Sequence, residues 1–424
     1  MFVMVQLFLN ILFFLVIPVV IWIYLRKAIP LTILPILVGI ILSIICYRLG
    51  IGEGVVPSPS LSLLGWLGIL LLVFSAGLES VTVPERLEAR RDCSNVPYLS
   101  FSNCRLLISA SFALVLPFAI GTAIAYWFLL PLEGWNPHQE NNLLAAAAIG
   151  LCLTVSALPV LVGLVRELPK KYRLLGFLAV RISVIDDFML WVGLASLLLL
   201  ARGTHILETW RWFDLPVVFA LIGLFSISHY VKKCELEISK LKSWLIAGLT
   251  LAIGAGSTSF LGLHPFLGAY FAGILLPKTV VQKLYPEKLG FFVLVCLAPF
   301  FFGQSGLNVD GSVFDWKILT IAFALVMISA VAKIFTVLIL PPAKGLSRIE
   351  TIALGSLLQC KGLMEIVVAS MLQEEGLLTR TAYTALVTLA VLSTIMTRPL
   401  FHWITKAHSL QAEGKLKAET SSLG

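Results

Sequence analysis

The sequence predicts an all-α polytopic membrane protein of about thirteen transmembrane helices, built as two six-helix inverted repeats containing two crossed, broken helices. Three observations predict it. Of its 424 residues, 59% are hydrophobic and 13% charged, where ordinary soluble domains carry roughly 25% charged residues. Apolar stretches about 20 residues long recur from end to end, each sufficient to cross a hydrocarbon core of ~30 Å as a helix. Local patterns in the first six stretches also return seven stretches later.

The segments follow in order. The first, 5–25, has no Lys or Arg before it and no small-residue cleavage site after it, so it lacks the layout of a removed signal peptide. Segments 30–49 and 61–80 carry Pro35 and Gly77, and 104–130 is uninterrupted apolar sequence. Segment 142–166 contains Thr154, Ser156 and Pro159, and segment 174–200 contains Asp186 and Asp187. A stretch at 212–231 links this first repeat, 5–200, to a second at 241–402. There, 241–258 and 262–277 are divided only by a few residues around Leu261, and 289–307, 316–340, 350–373 and 380–402 complete the set. Residues 1–403 form one membrane domain, and the tail 404–424 is too short to bury a core.

Charge sets the expected topology. Arg26 and Lys27 follow the first segment, and basic residues cluster in alternate loops, including Arg86, Arg90, Arg91, Lys170, Lys171, Lys232, Lys233, Lys344 and Arg348. By the positive-inside tendency these loops and the tail are cytoplasmic, the N-terminus is outside, and a cell-membrane location is expected. The net charge of +8 then reflects topology and anionic lipid headgroups, and no nucleic-acid partner is implied. The seven cysteines show no metal-ligand spacing. No hydrolase or redox constellation stands out, so neither an enzyme nor a cofactor is expected.

The repeat rests on short correspondences. Segment two has Pro35 and LVGIIL, segment nine Pro265 and FLGAYFAGILL; segment three ends FSAGLES, segment ten GQSGLNVD. An offset of seven is odd, so the second copy crosses in the opposite direction, an arrangement of secondary transporters with sites near the midplane. Segments five and twelve should then correspond. The former is interrupted by Thr154, Ser156 and Pro159, the latter by Gln359, Lys361, Gly362 and Glu365. Two broken helices that cross offer freed carbonyls and helix ends to an ion; a proline kink with back-bonding hydroxyls is the plainer alternative for either alone.

Charge inside the bilayer is costly, ~2.5 to 3.5 kcal/mol for one Asp at a helix centre, so Asp186 and Asp187 must face a polar interior and form a candidate ion or proton site. Lys333 has no acidic partner in its own segment, and Asp186 or Asp187 is the economical one. Lys361 and Glu365, spaced i, i+4, could neutralise each other on one helix face. Arg181 reads as snorkelling, Glu79 and Arg398 as interfacial at helix ends, and His264 as a packing residue of a short outside turn.

The runs LTVSALPVLVGLVR from Leu153, IDDFMLWV from Ile185, GLHPFLGAYFAGILLPK from Gly262, PFFFGQSGLNVD from Pro299, AKIF from Ala332 and CKGLMEIVV from Cys360 together resemble the monovalent cation:proton antiporter-2 superfamily, most of all the branch of plant cation/H+ exchangers and bacterial and cyanobacterial Na+/H+ antiporters. The resemblance implies a homodimeric antiporter exchanging Na+ or K+ for protons, with a scaffold and an ion-carrying bundle that moves as an elevator. It makes Asp187 the essential cation- and proton-binding carboxylate, the place where a monovalent cation would sit, and Asp186 the neighbour that is Asp in electrogenic members. Lys333 becomes its ion-pair partner. Thr154, Ser156 and Pro159 match the first broken helix, Lys361, Gly362 and Glu365 the second. The loop 80–103 is longer than usual, Arg181 replaces a small residue, and Cys360 occupies the break. A gated K+ efflux pathway on the same fold is the alternative function.

Overall fold

The computed structural model describes residues 8–24, 30–50, 59–89, 103–137, 142–166, 168–169, 172–202 and 239–422. Helix lies along every expected segment except the linker 212–231, which falls outside the described residues, and no strand occurs among them. The helices are α1 (Phe8–Tyr24), α2 (Leu31–Arg48), α3 (Pro59–Ala89), α4 (Cys104–Leu129), α5 (Asn142–Thr154), α6 (Leu158–Arg166), α7 (Arg173–Arg202) and α8 (Lys240–Phe260). They continue with α9 (Pro265–Leu275), α10 (Lys278–Leu284), α11 (Pro286–Leu307), α12 (Trp316–Ile339), α13 (Arg348–Leu358), α14 (Leu363–Glu374) and α15 (Arg380–Ser422). Among the described residues, 8 helices are individually long and apolar enough to cross a membrane. The pairs α5/α6 and α13/α14 are each one segment in two halves.

Local chemistry explains the boundaries. Ser347 opens α13 with a reciprocal capping box to Glu350, while Asp315 caps α12 and Ser239 caps α8, each satisfying an amide the helix leaves open. The division near Leu261 is sharp: Gly262 takes φ +75°, and Pro265 begins α9, whose missing N–H costs nothing at a first helical position. His264 is the cap there, its Nδ1 accepting from the Phe266 amide at 3.3 Å, and its Nε2 lies 3.7 Å from Glu374 at the end of α14. Its ring also packs on Phe266 with 4.4 Å between centroids, so the expected packing role comes together with a capping one. Helix α3 runs well past the expected 61–80, so Glu79 is not at a helix end; it lies within the helix, beside Gly290 of α11. Arg398 likewise lies within α15, which continues to Ser422.

The helices pack as two groups. Helices α4 to α7 and α12 to α15 surround the broken segments, and α1 to α3 pack with α8 to α11. The groups meet where α7 lies against α3 and α9, and α14 against α11.

Close glycine contacts organise the second group. A Cβ on Gly306 would lie 2.3 Å from the Ile36 carbonyl and 3.0 Å from both Gly39 Cα and Ile40 N. A Cβ on Gly77 would lie 2.3 Å from the Tyr270 carbonyl, 3.1 Å from Gly273 Cα and 3.2 Å from Ile274 N. Only glycine lets these backbones approach so closely. The α2–α11 and α3–α9 crossings thus use matching residues, equating Gly39 with Gly273 and Gly77 with Gly306. On that matching, Pro35 and Pro265 fall one turn out of register with each other.

Candidate functional site

Helix α5 ends at Thr154, residues 155–157 are non-helical, and α6 begins at Leu158. Pro159 therefore does not interrupt a helix; it sits in the first turn of the second half, where its fixed φ suits a helix start. Helix α13 ends at Leu358 and α14 begins at Leu363, with Gly362 as the residue before it. The breaks touch directly: the Ala157 amide donates to the Cys360 carbonyl at 2.8 Å, and a Cβ on Gly362 would meet Val160 at 3.0 Å and Ala157 at 3.2 Å.

Both aspartates of α7 are 1% exposed and Lys333 of α12 is 0% exposed. Lys333 Nζ lies 2.7 Å from Asp186 Oδ2, so of the two carboxylates left open by the sequence it pairs with Asp186. Ser156 completes this cluster, accepting from Lys333 Nζ at 3.0 Å. Its own hydroxyl proton can go to Asp186 Oδ2 at 3.0 Å or to the Leu358 carbonyl at 2.7 Å. Thus the first break holds the ion pair, and the second break is tied to the same hydroxyl.

Asp187 is different. Neither of its carboxylate oxygens has a hydrogen-bond donor, and Asp186 Oδ1 has none. The Leu158 amide at the start of α6 faces Asp187 without reaching hydrogen-bond geometry. Buried carboxylate oxygens without donors are rare and costly, and they suit a group that binds a cation or a proton.

Two predicted residues act elsewhere. Thr154 donates to the Leu114 carbonyl of α4 at 3.4 Å and not to the carboxylates. Lys361 and Glu365 form no ion pair: Lys361 Nζ donates to the carbonyls of Cys152 and Leu153 at the end of α5, and both Glu365 oxygens lack donors. The i, i+4 expectation fails because Lys361 lies in the non-helical break before α14, so the two are not on one helical face. Instead, its charge sits at a helix C-terminus, where a cation is favoured.

The freed carbonyls of the breaks are largely occupied. Ser329 donates to Leu153 O at 2.8 Å, Ser183 to Ser156 O at 3.2 Å, Ser393 to Gln359 O at 2.8 Å and Thr394 to Lys361 O at 2.6 Å. These four hydroxyls were not singled out in the sequence. Their signal is position: Ser183 and Ser329 each stand one turn before a buried charge, Asp187 and Lys333, in otherwise apolar helices.

Comparison with known proteins identifies the family and the fold. The family described as "Sodium/hydrogen exchanger, transmembrane" matches residues 9–405. The Na(+)/H(+) antiporter NhaS4 of Synechocystis sp. is 25% identical over 350 residues, 81% of each chain. The K(+)/H(+) antiporter 1 of Saccharomyces cerevisiae is 28% identical over 366 residues, 81% of this chain but 39% of that longer protein. The solved structure of the sodium proton antiporter MjNhaP1 from Methanocaldococcus jannaschii superposes with a TM-score of 0.54 at 15% identity, covering 95% of this chain and 97% of the other, which is a likeness of fold.

Proposed function

Because this chain belongs to the sodium/hydrogen exchanger family, we propose that it is a secondary active antiporter exchanging Na+ or K+ for protons at Asp187. One observation carries the reading: the crossed breaks bury an Asp186–Ser156–Lys333 cluster beside an Asp187 whose oxygens have no donors. Asp186 is committed to Lys333, leaving Asp187 to take a cation or a proton. Either neutralises the carboxylate, so each excludes the other.

Exchange follows if only the loaded site crosses the barrier. The group formed by α4 to α7 and α12 to α15 carries the site and moves as an elevator against the other group, which serves as scaffold. An inward proton gradient then expels the cation. One proton against one cation at Asp187 alone would be electroneutral, so electrogenic exchange requires that the Lys333 proton also leave when the cation binds, the Asp186–Lys333 pair opening and two protons returning for each cation. The matched glycine crossings of α2–α11 and α3–α9 support two inverted repeats within thirteen transmembrane helices. The working unit is a homodimer in the cell membrane, its N-terminus outside and its C-terminus cytoplasmic. The relatives include both a Na+/H+ and a K+/H+ antiporter, so either ion is in play.

Proteoliposomes carrying an imposed pH gradient test this reading. Adding Na+, K+, Li+ or Rb+ separately should collapse the gradient with at least one of Na+ and K+, saturably. Cation flux that persists without proton movement would favour the gated efflux pathway and overturn antiport.

A further inference from the structure

Helix α9 lies across the group boundary from Asp187, yet it brings a buried hydroxyl to the same part of α7. Asp187 and Trp191 are one turn apart on one face of α7. The Trp191 ring stacks on Tyr270 with 5.3 Å between centroids and 25° between planes. Phe188, next to Asp187, meets Phe271 edge-on at 6.4 Å. These ring pairs hold α9 in register with the aspartate turn.

Tyr270 is 0% exposed, and its hydroxyl, with Ser80 of α3 as a polar neighbour, closes no hydrogen bond. A buried tyrosine hydroxyl normally finds one, and a ring needed only for stacking would serve as well without it. The stack on Trp191 sets Tyr270 about one turn of α7 from Asp187, whose two oxygens also lack partners. No hydrogen bond closes between them. A buried carboxylate and a nearby buried hydroxyl that share no proton suit a hard cation, which takes oxygen ligands.

We propose that the Tyr270 hydroxyl is an oxygen ligand, supplied by the scaffold, for the monovalent cation bound at Asp187 in the state seen here. This rests on the antiporter reading and extends it. A ligand on α9 stays behind when the group carrying Asp187 moves, so the cation is held more tightly in one access state than in the other. Proton binding at Asp187 does not require it.

Tyr270→Phe removes the oxygen and keeps the stack on Trp191. In proteoliposomes the apparent KM for the exchanged ion, Na+ or K+, should rise roughly three- to tenfold, with kcat at saturating cation and the thermal midpoint as in wild type. An unchanged KM, or a fall in kcat and midpoint together, would overturn the proposal. Thermal melts in detergent read binding without transport. Na+ or K+ should raise the midpoint of wild type more than that of Tyr270→Phe, and equal rises would overturn the ligand role. Wild-type liposomes that fail to exchange, alongside wild-type protein that is stabilised by cation, would sink the antiporter reading alone.

Discussion

Asp186 and Asp187 are neighbours in sequence with opposite environments, one held by Lys333 and Ser156 and the other without any donor. Removing one partner of a buried pair leaves the other charge desolvated, typically at ~3 to 5 kcal/mol. Asp186→Asn and Lys333→Gln should each lower the melting midpoint, and the double substitution should recover much of the loss, with a coupling energy of about 1 to 3 kcal/mol. Melts of all four forms test the pairing, and strictly additive losses would count against it. That Lys333 needed a carboxylate was legible from charge alone, because its own segment offers none. Which carboxylate was not: adjacent residues point about 100° apart on a helix, and only the packing of α12 against α5 and α7 decides. The sequence also left Tyr270 unnoticed, since an aromatic in an apolar helix reads as packing until its hydroxyl is seen without a partner.

At the scale of elements, the two breaks do most to shape the site. Their positions were legible, since polar residues and Gly362 interrupt apolar sequence. Their internal bonding was not, because rules for helix neighbours assume a continuous helix, and Lys361 stands outside one. It serves as the positive cap of α5 through the Cys152 and Leu153 carbonyls. Lys361→Met should therefore destabilise the fold by about 1 to 3 kcal/mol, the cost of removing the Lys361 donor from the Cys152 carbonyl and leaving Leu153 to Ser329 alone. A denaturation midpoint equal to that of wild type would show that the cap is dispensable.

For the whole molecule, the all-α membrane architecture was legible because length and hydropathy alone demand it. The matched glycine crossings on which the proposed repeat rests were not, since the prolines suggest another register and the contacts join segments distant in sequence. Gly77→Val and Gly306→Val should each drive the adjoining helices apart at equivalent crossings, and overpacking of this kind costs typically ~1 to 3 kcal/mol. Thermal melts of both variants check this, and a loss at one crossing only would argue against equivalence. Orientation is tested by single cysteines in exposed loops: an impermeant thiol reagent added outside should label position Glu133 and spare Lys344, and the reverse pattern would invert the topology. Mutual exclusion of a proton and a cation at Asp187 is read out by proton release. Purified protein in weakly buffered detergent solution should release protons when Na+ or K+ is added, and Asp187→Asn, folded to the same melting midpoint, should release none. Equal release from the variant, or cation binding to wild type without release, would contradict it.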